Sequence, residues 1–301
     1  MTRTPLAAIL TAATLLLGPV SASRAESPSN HGAQEAHGAH NVSPAVLAGQ
    51  AAELKKAALA ANSGPQAPRD LSNPKGDNPI VFSPAPNRAV MNLCNIHFHE
   101  AAEHKGGEFT TFVGTGDGQG HGTGYRYNGS LSAAELKPVA VKVGQTAHGE
   151  LLPGSTIEIH FVHSTAPVKP GPTLASCLSK DNGNPQLRVE GVVAVLVNDR
   201  KAADFTKMAK LAVVNGYNAA PNIPDTLGNP VLYSGSTTGP KYNTLPSNLQ
   251  VTWSVRPKVI KVDILTVAKW LQDNPFKEDH AHGVRNLVMD PVLLAPIQAA
   301  Q

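Results

Sequence analysis

Asn95-Ile96-His97-Phe98-His99 and, further along, Ser155-Thr156-Ile157-Glu158-Ile159-His160-Phe161-Val162 decide how this chain is read. Both runs have strand character, and on a strand the side chains at i and i+2 point to the same face. His97 and His99 therefore aim two imidazoles at one point. If the second run pairs beside the first, His160 supplies a third. Three neutral imidazoles around a position left open for solvent make a catalytic zinc site. Each ligand ring also needs an acceptor for its other nitrogen. Asn95, two before His97, and Glu158, two before His160, hold the same-face positions that could supply it. The competing reading is two polar residues on a wet sheet face. Glu103-His104 follow His99 closely, so the Glu103 carboxylate could orient a hydroxyl beside the metal, or merely form a surface ion pair.

Around these runs, 301 residues with 41% hydrophobic and 16% charged side chains suit a folded domain with a sizeable core. Plentiful Gly (26) and Pro (25) point to turns and short strands. The N-terminus reads as an export signal: Arg3, an apolar run from Leu6 to Val20, then Ser23-Arg24-Ala25 as a cleavage site. That run is too short to span a bilayer comfortably, though an uncleaved anchor remains the alternative. No other segment is apolar enough, so no membrane span is expected in the mature chain. Cleavage after Ala25 removes Arg3 and Arg24 and takes the net charge from +3 to +1. A nearly neutral protein gives no electrostatic case for nucleic acid as a partner. Export, periplasmic or secreted, permits a disulfide between Cys94 and Cys177, the two cysteines of the chain. It would tie the strand bearing His97 to the segment around Leu178. Two buried thiols are the alternative.

The expected organisation is a signal peptide (1–25), a helical and irregular leader and linker (26–88), and one domain from 89 to 301. The leader carries His31, His37 and His40, then Ser43-Pro44 as a helix start before Ala45–Ala61, then a stretch dense in Pro, Asn, Ser and Gly to Pro86. Strands are expected at Val90–His99, Phe109–Gly114, Pro138–Val143, Thr156–His163, Gln186–Asn198, Val231–Gly235 and Gln250–Pro257. Helices are expected at Asp263–Gln272 and, more briefly, His282–Met289. The fold class is α+β: a single domain on a large, mainly antiparallel sheet with peripheral helices.

His97-Phe98-His99, three residues, then Glu103-His104 resembles the segment of α-type carbonic anhydrases that carries two zinc ligands and the gatekeeping glutamate. Glu158-Ile159-His160-Phe161-Val162-His163 is similar to the strand carrying their third ligand. Tyr233-Ser234-Gly235-Ser236-Thr237-Thr238-Gly239-Pro240 resembles their Tyr-x-Gly-Ser-x-Thr-Thr-Pro loop, and Val251-Thr252-Trp253-Ser254-Val255 their Val-x-Trp-x-Val strand. The departures are a long, glycine-rich insert (Gly114 to Gly129), a different cysteine placement, and Lys241-Tyr242-Asn243 in place of a second proline. With the His–Glu order intact, they resemble the δ class of carbonic anhydrase, with the α class as near neighbour.

The resemblance implies an α-carbonic-anhydrase-like fold and a Zn²⁺ cofactor on His97, His99 and His160. Asn95 would stand behind His97 and Glu158 behind His160. Thr238 would be the gatekeeper, donating to Glu103; one alignment gap would move that role to Thr237. Val162, Val251 and Trp253 would line the carbon dioxide pocket. His104 and His163 match family histidines that are mostly structural. The implied reaction interconverts CO2 and bicarbonate by attack of zinc-held hydroxide, with His121 or His148 as conceivable proton carriers. Two other readings compete. A cupin-type metalloenzyme shares His-x-His followed by Glu, with Glu103 then a metal ligand, but lacks a use for the Gly-Ser-Thr-Thr and Val-Thr-Trp pieces. A non-catalytic exported metal-binding protein on the same scaffold would keep the ligands without the reaction.

Overall fold

The computed structural model describes residues 41–182, 184–239 and 241–297. The signal-like residues 1–25, the histidines at 31, 37 and 40, and Pro240 lie outside them. In chain order the elements are α1 (Pro44–Ala60), β1 (Asn92–His99), β2 (Thr111–Phe112), β3 (Tyr125–Arg126), β4 (Thr156–Ser164), β5 (Leu187–Val197), α2 (Phe205–Met208), β6 (Ala212–Val214), β7 (Tyr217–Ala219), β8 (Val231–Ser236), β9 (Gln250–Val255), β10 (Ile260–Asp263) and α3 (Ile264–Gln272). The fold is α+β.

A six-stranded sheet forms the centre, in the order β1-β4-β5-β9-β8, with β10 also on β5. Pairings β1–β4, β4–β5 and β8–β9 are antiparallel; β5–β9 and β5–β10 are parallel. Strand alternation sends the two sets of side chains into different cores. Ile96, Phe98, Ile159, Phe161 and Val192 pack on one face with Val267 and Trp270 of α3. Cys94, Val162, Val189, Tyr233 and Trp253 pack on the other. Asp263 caps α3, accepting from the Leu265 N–H at 3.1 Å. Cys94 and Cys177 form a disulfide. No helix among the described residues is long and apolar enough to cross a membrane.

Two expected elements do not form. Residues 138–143 are irregular, with Val143 buried, Val139 half-buried and the other four exposed; Pro138 has no N–H to give a ladder. Residues 282–289 are not helical, because their N–H groups are spent elsewhere. His282 donates to Phe98, Val284 to Gly120, Arg285 to Glu103, Asn286 to Asn243 and Val288 to Pro68. Each long-range bond removes one that an i→i−4 helix would need.

The segment read as leader and linker packs onto the rest of the chain, with Ala67 and Leu71 in the core on one sheet face. Leu54 and Ala58 of α1 meet Val288, Leu293 and Leu294, while Gln66, Ala67 and Arg69 are buried. Removing residues through Ala60 is expected to cost about 2–5 kcal/mol, the scale of losing a buried Leu, and to leave the sheet folded. Removing them through Leu71 is expected to abolish folding. Circular dichroism of the two truncated chains checks this; a folded, cooperative second truncation would contradict it.

Candidate metal centre

Antiparallel pairing puts His97 directly opposite His160, and His99 opposite Glu158. The three rings converge, with centroids 4.7–5.3 Å apart. One ring nitrogen from each lies within 4.8 Å of the other two. Hydrogen bonds decide which nitrogens these are. His97 Nδ1 donates to Asn95 Oδ1 at 2.6 Å; that amide is oriented by its own Nδ2 donating to Gly171 O at 3.1 Å. His99 Nδ1 donates to Gly283 O at 2.6 Å, and His160 Nε2 to Glu158 Oε1 at 3.0 Å. A neutral imidazole has one N–H. His97 Nε2, His99 Nε2 and His160 Nδ1 are therefore bare lone pairs.

His97 Nε2 and His160 Nδ1 face each other at 3.3 Å with no proton between them. Two facing lone pairs repel, and a cation relieves that repulsion. The donor set suits a borderline ion such as zinc. Burial, with the other rings adding to it, holds His97 well below the usual imidazole range. Burial likewise pushes His99 down to about 4, against the opposing pull of Glu103. Both rings are thus neutral at pH 7, as ligands must be.

Glu158 anchors the rear of the site. Burial would raise its pKa, but His104 and His160 outweigh this and hold the carboxyl well below its ordinary range. It accepts from His104 Nδ1 at 2.6 Å and His160 Nε2 through Oε1, and from the Glu103 and His104 N–H groups through Oε2. The Tyr233 hydroxyl, kept protonated by burial, donates to His104 Nε2 at 2.6 Å. His104, Glu158 and His160 also lie close enough to hold an ion. Four donors already occupy Glu158, so that trio is a hydrogen-bonded support.

The lone pairs open onto a cavity of about 260 Å³ walled by Val162, Leu174, Val189 and Trp253. Glu103, Thr237, Thr238 and Tyr242 also line it. The Thr237 hydroxyl pairs with Ser247 Oγ at 2.8 Å and is buried. Among the described residues Thr238 has no side-chain hydrogen bond, so its hydroxyl is free toward the cavity. Glu103 Oε1 accepts the Arg285 N–H at 2.9 Å. Val251 does not line this cavity: it pairs with Leu187, one same-face step beyond the Val189–Trp253 pair, and lines a different cavity beside Phe82. Val189, not foreseen, stands where Val251 was expected.

His121 and His148 are also absent from the lining. They stack on each other, centroids 3.6 Å apart, with His121 Nδ1 on Glu100 at 3.1 Å. His163 points to the opposite sheet face, Nδ1 donating to Phe161 O at 3.0 Å. The histidine that does line the cavity is His282, its ring 5.4 Å from that of His97 and its Nε2 2.6 Å from Glu278. A second His-x-His, at His280 and His282, was the available sequence signal. Gly283 O offered none, since a main-chain acceptor leaves no side-chain trace.

Burial also holds His163 at about 4. For His97, His99 and His163 the folded pKa lies below the unfolded value of about 6.5. The unfolded chain then binds more protons, and stability of the metal-free protein falls as pH drops from about 6.5 to about 4. Each group contributes roughly 1.4 kcal/mol per pH unit within that window. Urea midpoints between pH 6.5 and 5, above the carboxylate range, check this; a flat profile would contradict it.

The family model described as delta carbonic anhydrase matches residues 88–266. The similar solved structures include these three. A hyperthermostable carbonic anhydrase from an active hydrothermal vent chimney is 15% identical over 81% of this chain and 90% of that one, TM-score 0.32. The α-carbonic anhydrase of Thermovibrio ammonificans with sulfanilamide is 15% identical over 76% and 84%, TM-score 0.26. A carbonic anhydrase of Chlamydomonas reinhardtii with acetazolamide is 18% identical over 77% and 89%, TM-score 0.27. No curated protein sequence matches significantly.

Proposed function

Because the chain belongs to the delta carbonic anhydrase family, we propose that it interconverts carbon dioxide and bicarbonate with a zinc ion held by His97, His99 and His160. The observation that carries this reading is the convergence of three bare ring nitrogens on one side of a partly apolar cavity. Zinc, once held there, supplies the Lewis acidity that makes water nucleophilic near neutral pH, chemistry for which carbonic anhydrases are the standard example.

The chain supplies the rest. Asn95, Gly283 O and Glu158 hold the ligand rings in one tautomer and one orientation. Val162, Val189 and Trp253 give apolar carbon dioxide a wall to lie against and keep bulk water away. In the working site the Thr238 hydroxyl, free among the described residues, turns its proton toward Glu103, so that Oγ1 presents a lone pair to the cavity and accepts an O–H there. This orients the attacking oxygen and rejects ligands that cannot donate. His282, beside Glu278 at the cavity, passes the released proton outward. The disulfide and the signal-like N-terminus support an exported enzyme.

A cupin-type centre requires Glu103 as a ligand. Its Oε1 lies 3.5 Å from His99 Nδ1, the nitrogen committed to Gly283, and takes the Arg285 N–H. Glu103 thus sits outside the converging set. Stopped-flow hydration of carbon dioxide, with zinc content measured before and after chelation, tests the proposal. Chelator-sensitive hydration with one zinc per chain is expected. Stoichiometric zinc with no hydration above buffer would favour the non-catalytic metal-binding reading.

A further inference from the structure

We infer that Gln66 and Arg285, both outside the family-matched residues 88–266, are positioning residues that fix the Thr237–Thr238 loop and Glu103 relative to the metal centre. The inference rests on the reaction proposed above.

Both side chains are fully buried, at 0% and 1% exposure. Arg285 forms no ion pair within 4 Å among the described residues. Burial pushes its guanidinium down to about 10, with Glu103 opposing, so it remains charged. Backbone and side-chain oxygens solvate that charge instead. Nη1 donates to Ala67 O at 2.7 Å, and longer contacts of 3.4–3.5 Å reach Thr237 O, Leu245 O and Gln66 Oε1. Its own N–H holds Glu103 Oε1.

Gln66 completes the clasp. Its Oε1 accepts from Ser247 N at 3.0 Å and Ser236 Oγ at 3.2 Å, and its Nε2 donates to Gly64 O and Ser247 O. The loop from Ser236 to Ser247 is thus gripped at both ends from two distant chain segments. Within it Gly239 lets Leu245 O approach to where a Cβ would lie 2.3 Å away.

A buried charge held mainly by oriented dipoles cannot shift without losing its solvation. The carbonyls of Ala67, Thr237 and Leu245 are therefore drawn to one point, and the hydroxyl of Thr238 and the carboxylate of Glu103 are set by the same residue. The His ligands touch neither Gln66 nor Arg285, so loosening the clasp should misplace the loop while sparing the metal.

The test compares wild type with Arg285→Lys, Gln66→Leu and Gln66→Glu. Stoichiometric zinc is expected in all three. For Arg285→Lys and Gln66→Leu, kcat per bound zinc should fall about 10- to 100-fold, the scale of a 1 Å misplacement, with KM within about twofold. Gln66→Glu keeps the acceptor oxygen but sets a second oxygen against the Gly64 and Ser247 carbonyls where the amide donates, so its kcat per bound zinc should fall as well; an unchanged value would overturn the inference. A purely structural role would lower Tm and leave kcat per zinc unchanged, and that outcome overturns the inference. Amide hydrogen exchange is read in parallel. In wild type the N–H groups of Ser247 and Arg285 should be as protected as those of β4; rapid exchange there overturns the inference without any variant needing to fold. If wild type does not hydrate carbon dioxide, the proposed function fails, and the exchange measurement alone decides whether the clasp holds the loop.

Discussion

His99→Ala is expected to eliminate stoichiometric zinc and, with it, carbon dioxide hydration. Of the three rings, His99 is the one whose Nδ1 is tied to a main-chain carbonyl from another part of the chain, 184 residues away. Its Nε2 is thereby fixed toward the centroid-to-centroid contact with His160 at 4.7 Å. Alanine removes one of three donors and leaves Gly283 O without its partner. Changes one shell further out already cost about 10- to 100-fold in metal affinity, so loss of a ligand should exceed about 100-fold. Competition with a chromophoric chelator measures this directly. Full zinc occupancy at wild-type affinity would remove His99 from the ligand set. His282→Ala is the control: its ring packs beside His97 and His99 but lies outside the converging trio, so zinc should be retained.

Thr238→Ala is expected to separate catalysis from metal binding. The ligand rings lie on β1 and β4, whereas Thr238 lies on the loop after β8, so zinc should stay stoichiometric. The hydroxyl proposed to orient the attacking oxygen is gone, and kcat should fall about 10²-fold, the range for removing one oriented hydrogen-bonding group at a reacting oxygen. Thr237→Ala removes instead a hydroxyl already engaged with Ser247 at 2.8 Å and should cost about tenfold or less. Side-by-side stopped-flow rates per bound zinc decide between them. Equal losses, or a larger loss at Thr237, would reassign the orienting role.

The parts of the site that could be read in advance share one property: their geometry is local. His97 and His99, Asn95 and His97, and Glu158 and His160 are each two residues apart, and the strand period alone places each pair on one face. Strands β4, β5, β8 and β9 were legible within a residue or two for the same reason. The parts that were not legible depend on where the chain returns. The helix expected from His282 to Met289 is absent because its N–H groups meet Phe98, Gly120, Glu103, Asn243 and Pro68. Local propensity carries no record of those partners. Val251 has the right residue type and strand phase to line the cavity, and misses it only because its register partner is Leu187, one step from Val189.

Sequence by itself determined that His97, His99 and His160 share one sheet face, that Asn95 and Glu158 stand behind His97 and His160, and that Cys94 and Cys177 are available for a bridge, since each follows from strand period or residue chemistry. Tertiary structure alone decided that Gly283 orients His99, that His282 enters the cavity, that Thr238 rather than Thr237 has a free hydroxyl, and that Gln66 and Arg285 clasp the loop. Those choices are made by hydrogen bonds closed across as many as 219 positions. Which donor reaches which acceptor over such a distance is fixed by the path of the whole chain, and by the cost of burying any polar group that finds no partner.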